Sequence, residues 1–554
     1  MTRVARRCTL SGLVLLGHVS LAGGLAAQST APSSAIVDTI VLDRRNVFSE
    51  EAAKTGFYRT MNRIHAVTQP SVIRDYLLIE TGEPYDSAAA AESERELRLL
   101  QLFREVSIDS TRLGDGRLAA VVHTRDAWSL KPKLAYSVAS TGNWTGTFGL
   151  SESNLLGTGN LVYAAYRKEI DRDGLNTSAQ FRRIFGWDFD ASGNFARMSD
   201  GSNGNWILGL PFRNVESTRQ YQLDGSKANQ DVIQYRVSNV SDSTVTDSTT
   251  FRRAAFINTL TAGIATRHTT ADYLRFGADV GMRQEGFYLD PAEEGVAPDS
   301  LYGTVSLWTE FSKVRYRKFQ RFNGFGSEDI DLSTTVRLTA TFAPQGFGWN
   351  GTGLGLGLNA ATGRHGLLGG RGWVWAAVDA NYLWNAAVRD SGRVIFNVAA
   401  GTKLVERHST AVQLQWGRLW NAKPGDQFDL GFDNAPRGWD AHSFVGDRGW
   451  WVQFEHRYYA VDDFLHLLGL GLEAFLDYGG AWYPDQGNRS GGSVGAGLIF
   501  GSALSSVART ARADIVYRFG PDATGDRWVF AFGAGFAFPR RDIPVTNYTA
   551  QPPQ

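Results

Sequence analysis

The sequence predicts a mainly β protein: a transmembrane antiparallel β-barrel preceded by one small β-α-α-β-β periplasmic domain. Three observations predict it. From residue 128 to 538 the chain is a series of segments in which apolar residues alternate with polar or small ones, with turn residues between them. After the N-terminus no apolar run approaches the ~20 residues that a membrane helix needs. The N-terminus itself reads as an export signal, and an exported chain without a helical anchor is either soluble or a barrel.

Residues 1–27 carry that signal: Arg3, Arg6 and Arg7 precede an apolar stretch that ends in the small residues Ala26 and Ala27. Cys8, the one cysteine among 554 residues, lies inside it, so the exported chain is predicted to hold no disulfide. Residues 28–34 form a linker containing STAPSS. Within 35–127, AIVDTIVL alternates as a strand, and QPSVIRDYLLI and SAAAAESERELRLLQLF read as helices with a Gly/Pro turn between them. REVSIDS and GRLAAVVHT follow as two more strands. Residues 539–554 are predicted to be a disordered periplasmic tail.

Residues 128–538 supply the barrel. In RWVFAFGAGFAF, Trp528, Phe530, Phe532, Phe536 and Phe538 fall on one face and small residues on the other, so the aromatic face is predicted to meet lipid. A soluble sheet would set polar groups opposite an apolar face. In ARADIVYRF, Ile515 and Tyr517 oppose Arg512, Asp514 and Arg518; in AVQLQWG, Val412, Leu414 and Trp416 oppose Gln413 and Gln415. Segmentation yields between 16 and 20 strands, with Asn205 to Val245 the ambiguous stretch. An even count returns both termini to the periplasmic side.

One loop stands out. APRGWDAHSFVGDRGW, Ala435 to Trp450, is long, polar and glycine-bearing, and lies between two alternating segments. In the strand after it, Glu455 and Arg457 face inward; two strands after the loop, Glu473, Phe475, Asp477 and Gly479 do the same. A guanidinium keeps its charge and needs a carboxylate when it leaves bulk water. The loop is therefore predicted to tuck into the lumen, with Arg437 paired to Asp477 and Gly438 permitting the turn.

Other classes of function find little support. Lys+Arg and Asp+Glu both total 56, so nothing global attracts nucleic acid. GGSVG around Ser493 matches a nucleophile-elbow pattern, but no helix follows it. GTGLGLGLN reads as a strand with a small face, not a phosphate loop. The nine histidines show no metal-ligand spacing. No catalytic residue, metal site or cofactor is predicted, and the protein is expected not to be an enzyme.

PRGW, Pro436 to Trp439, resembles the loop motif of the BamA/TamA outer-membrane assembly-factor superfamily, with Pro436 where the family usually has an aliphatic residue. FLDYG, Phe475 to Gly479, is similar to its barrel motif, SNLLGTGN, Ser153 to Asn160, to an early strand-turn segment, and residues 35–127 to one POTRA domain. The resemblance implies 16 strands, a loop–lumen lock of Arg437, Gly438, Trp439, Phe475, Asp477 and Gly479, and assisted insertion or translocation of other polypeptides at the bacterial outer membrane. The POTRA-like domain would receive clients. The seam between Leu130–Ala139 and the last strand would admit strand addition. Implied partners are outer-membrane lipid, unfolded client polypeptides and accessory periplasmic or lipoprotein factors, with no cofactor. A two-partner secretion transporter with one passenger, or a passive channel or surface antigen, are the alternatives.

Overall fold

The computed structural model describes residues 35–138, 144–240, 243–289, 301–385, 391–432, 434–464, 468–501, 510–523 and 525–540. The predicted signal peptide, the linker and positions 541–554 of the tail lie outside the described residues. The N-terminal domain is a three-stranded sheet with Leu118–Asp126 in the centre, parallel to Val37–Arg45 and antiparallel to Phe103–Arg112. The helix Ser87–Leu99 starts where the Asp86 carboxylate accepts from the Ala88 amide at 2.7 Å. It buries Ala90 and Leu97 in one core with Val37, Ile73, Phe103 and Val122. The first predicted helix is one short turn, Pro70–Arg74, and a helix the sequence reading missed, Gly56–Ile64, precedes it. That missed helix sets Phe57, Met61 and Ile64 on one face but buries none of its residues, so its apolar stripe takes no part in the domain core. A fragment of residues 35–127 is expected to melt cooperatively by circular dichroism, because this core is its own; a gradual melt would contradict an autonomous domain.

Among the described residues twenty antiparallel strands close into a barrel, with the last, Trp528–Ala534, beside the first, Leu130–Val138. The count is 20 and not the favoured 16. Six strands of eight to ten residues fall within Leu130–Leu210, so this part of the chain holds more strands than an even spacing of sixteen along the barrel implies. Alternation then decides the faces. Leu134, Leu260, Leu307, Leu472, Ile515 and Phe530 are exposed on the outer wall, while Gln413, Gln415, Gln453, Arg512 and Asp514 are buried inside. Among the described residues no helix is long and apolar enough to cross a membrane.

The segment SNLLGTGN links the second and third barrel strands and docks on the N-terminal domain. Asn154 Nδ2 donates to Thr68 Oγ1 at 2.8 Å, and the Gln69 amide donates to the Gly157 carbonyl at 2.8 Å. The end of the barrel beside this domain is its near end, and the opposite end is its far end.

The lumen is filled from both ends. At the far end, Arg219–Val240 and Ser243–His268 overrun their neighbours, which stop opposite Gln230 and Arg252. The overhanging Tyr235 packs onto the loop between His408–Trp420 and Arg448–Phe464. At the near end, the connection between Tyr302–Lys313 and Thr334–Ala343 forms a small hairpin, Tyr316–Gln320 with Ser327–Asp331. Its Phe319, Phe322, Ile330 and Leu332 join Trp373 and Trp375 of the wall in an apolar cluster.

Phe536 and Phe538 belong to that cluster as well, at 9% and 2% exposure. Their predicted lipid contact is therefore corrected. The last strand ends at Ala534, and beyond it the chain leaves the wall and turns inward. Trp528, Phe530 and Phe532, still on the strand, are exposed on the outer face.

Candidate functional site: an arginine locked in the lumen

The far-end loop carries its own ribbon, Phe428–Leu430 paired with Phe444–Gly446, which lowers the intervening tip into the barrel. The Phe432 amide donates to the Trp439 carbonyl at 2.7 Å and closes that tip. Gly438 sits at φ 75°, and a Cβ there would lie 2.8 Å from Val516 Cγ1 on the strand Ala511–Phe519. Both the left-handed backbone and the close approach require glycine. Trp439 packs with Phe428, Phe444 and Trp451, and its indole Nε1 donates to the Gly492 carbonyl at 3.1 Å.

Arg437 is fully buried, at 0% exposure. Its Nε and Nη2 donate to the two oxygens of Asp477 at 2.7 and 2.9 Å, the fork geometry that guanidinium and carboxylate share. Its backbone amide adds a third bond to Asp477 at 3.1 Å. Nη1 donates to Glu455 at 2.8 Å and reaches Glu473 at 3.4 Å. The guanidinium carbon lies 3.6 Å from the centre of the Phe475 ring, so an aromatic face covers the remaining side of the cation. Gly479 leaves space for a neighbour: a Cβ there would lie 2.7 Å from Cβ of Trp451, its partner across the ladder.

The structure thus brings together all six residues of the predicted lock, and adds two acidic partners to the expected one. The three predicted lumen charges are part of the same network. Arg457 pairs with Glu455, lies opposite Glu473 in the ladder, and donates to the Asn323 carbonyl of the near-end hairpin at 2.8 Å. Arg512 and Asp514, an inward pair on the penultimate strand, lie beyond it. A continuous chain of charges therefore runs from the far-end loop to the near-end hairpin.

No family model matches the chain, and no curated protein matches it. Among solved structures it is similar to BamA from Haemophilus ducreyi lacking POTRA domains 1–3, at 12% identity over 90% of this chain and 84% of that one, with a TM-score of 0.39. It is also similar to CdiB from Escherichia coli, at 11% identity over 91% and 76%, TM-score 0.48. CdiB from Acinetobacter baumannii gives 12% identity over 91% and 74%, TM-score 0.41. Identities this low carry nothing about activity.

Sequence reasoning missed the second fastening of the loop. His442 Nδ1 lies 2.7 Å from Asp429 Oδ2, and Nε2 lies 3.6 Å from Asp171 Oδ2, within ion-pair reach though too long for a hydrogen bond. The ring stacks on Tyr235 with centroids 3.7 Å apart. Burial alone would lower the histidine's pKa, but the two carboxylates outweigh it and the group is pushed up to about 10. A raised folded pKa stabilises the folded loop fully below the unfolded value near ~6.5, and that stabilisation is lost as pH rises towards 10. Protease cleavage of the loop is expected to stay slow at pH 6, quicken between pH 8 and 10, and lose this pH dependence in His442→Gln. A pH profile unchanged by the substitution would refute the assignment. No sequence signal marked this cluster, because its three members lie on two separate loops.

Proposed function

We propose that this protein is an outer-membrane barrel of the BamA/TamA type that assists insertion or translocation of other polypeptides. The observation that carries the reading is the contrast between a filled lumen and a short closing seam. Loop and hairpin occupy the barrel from both ends, whereas the last strand offers only seven residues to the first. Pro132, third in that first strand, has no amide to donate, and proline inside a sheet belongs at an edge. A client strand is therefore expected to enter through the wall, adding to the first strand by backbone pairing. The N-terminal domain leaves Phe103–Arg112 as an outer strand of its sheet, a second place for an unfolded chain to pair. Nothing in this scheme needs a cofactor, a catalytic group or nucleic acid; the energy comes from client folding.

Export of one passenger, the two-partner secretion alternative, would instead require loop and hairpin to leave the lumen. Reconstitution separates the two. Purified protein in liposomes, given an unfolded barrel substrate, is expected to produce protease-resistant inserted client. A disulfide engineered between Leu130–Val138 and Trp528–Ala534 is expected to abolish that insertion when oxidised. Unimpaired insertion with the seam locked would overturn the lateral route, and ion conductance alone would favour a passive channel.

A further inference from the structure

The last described residues of the chain are held in an unusual way. Beyond Ala534, the segment Phe536–Arg540 lies inside the near half of the barrel, and its main chain is gripped at every second residue. Arg457 Nη2 donates to the Phe536 carbonyl at 2.5 Å. Asn323 of the hairpin accepts from the Phe538 amide at 2.7 Å and donates to the Phe538 carbonyl at 2.9 Å. Gln413 does the same for Arg540, at 2.7 and 2.6 Å, and Asn397 adds a bond to the Arg540 carbonyl at 2.8 Å. Side-chain amides here take both the amide and the carbonyl of one residue, as the peptide groups of a neighbouring strand do in a sheet, at Phe538 and again at Arg540 beyond the bend at Phe538–Pro539. The side chains of Phe536 and Phe538, two positions apart, enter the apolar cluster of Phe319, Phe322, Trp373 and Trp375.

The walls of this groove are also fixed without the segment. Asn323 Nδ2 is tied to Glu328 at 2.8 Å, Gln413 is tied to Asn397 at 2.6 Å, and Arg457 is tied to Glu455. The Phe322 carbonyl accepts from both Ser409, at 2.9 Å, and Tyr459, at 2.5 Å, which seats the hairpin tip. A preformed surface that reads backbone at alternate residues, and side chains only through an aromatic pocket, is built to recognise a class of segment and not one sequence.

We propose that the near half of the lumen is a binding groove for a polypeptide segment bearing aromatic residues two positions apart, and that the chain's own Phe536–Arg540 occupies it in cis. Strands of membrane barrels carry aromatic residues near their ends, at the membrane interfaces. Under the function proposed above, the free ligand is the end of a client strand, which displaces the resident segment. That identification rests on the proposed function; the groove does not.

The test is peptide binding to the full chain in detergent, with no insertion step. The probe is a fluorescent peptide of the sequence AGFAFPRR, read by anisotropy, with folding of each variant checked by heat-modifiable migration. Phe536→Ala/Phe538→Ala, which weakens the resident segment, is expected to bind the peptide at least about tenfold more tightly than the unaltered protein. Adding Gln413→Ala to that background removes a paired amide contact and is expected to cost roughly tenfold. A peptide with both phenylalanines replaced by alanine is expected not to bind, and one that keeps only the aromatic spacing is expected to bind. If the double variant does not fold, Phe538→Ala alone serves. In either variant, a peptide carrying benzophenone at its second aromatic position is expected to crosslink to Trp373–Trp375 or Phe319–Phe322. A folded variant that does not bind, binding indifferent to Gln413→Ala, or crosslinks confined to the outer wall would overturn the groove. Peptide binding without client insertion would keep the groove and reject the proposed function, and insertion without peptide binding would do the reverse.

Discussion

Replacing Arg437 with alanine is expected to destabilise the barrel by about 3–5 kcal/mol, the cost of leaving buried charge without its partner. The guanidinium satisfies Asp477, reaches Glu455 and Glu473, and is closed off by Phe475, so its removal orphans several carboxylates at once. A water-filled lumen would have reduced the loss to the ~0–1 kcal/mol of a solvated pair; the filled lumen found here places it in the upper range. Arg437→Lys keeps a charge but loses the fork, and is expected to fall between the two. Asp477→Ala should cost less than Arg437→Ala, because two acidic partners remain to the arginine. The double variant should be no worse than Arg437→Ala alone. Thermal stability of the heat-modifiable barrel and protease cleavage of the loop, combined in a double-mutant cycle, measure this coupling. Additive losses would show that the loop is not held by this pair.

Phe530→Arg is the second large effect. Phe530 is 79% exposed on the outer face of the last strand. An arginine on the lipid face costs roughly 2–4 kcal/mol at the bilayer midplane and ~0–1 kcal/mol near the interface. The yield of folding into bilayers should therefore fall steeply for Phe530→Arg, little for Trp528→Arg at the strand end, and hardly at all for Phe530→Leu. Ala531, on the opposite face, is no silent control, because it packs against Phe475, Val516 and Val529. Overfilling that cluster is itself expected to cost about 1–3 kcal/mol. Equal yields for Phe530→Arg and Phe530→Leu would mean that this face does not meet lipid.

Much of the candidate site was legible because strand geometry is local. Glu455, Arg457, Glu473 and Asp477 were assigned to the lumen from alternation alone, and all four are buried there. The pairing of Arg437 with Asp477 followed from the need of a buried guanidinium for a carboxylate. Glu455 and Glu473 as further partners did not follow, since which of several inward acids a loop reaches depends on how deep its tip descends. The ribbon Phe428–Leu430 with Phe444–Gly446 sets that depth, and its three-residue strands carry too short a pattern to read.

The sequence by itself determined the chain's alternation, and with it which side chains of a given strand share a face, because successive side chains point to opposite sides of any extended strand. It also determined that Arg437 must find acidic partners wherever it is buried. Only the tertiary structure decided where strands stop and what enters the barrel. Phe536 and Phe538 are in phase with Phe530 and Phe532, yet they lie inside, because periodicity has no meaning once the chain leaves the sheet after Ala534. The hairpin Tyr316–Asp331 reads like any other pair of short strands, but its tip meets the chain end through bonds between Asn323 and Phe538. Contacts of that separation form only when the barrel closes around them, and no local pattern encodes them.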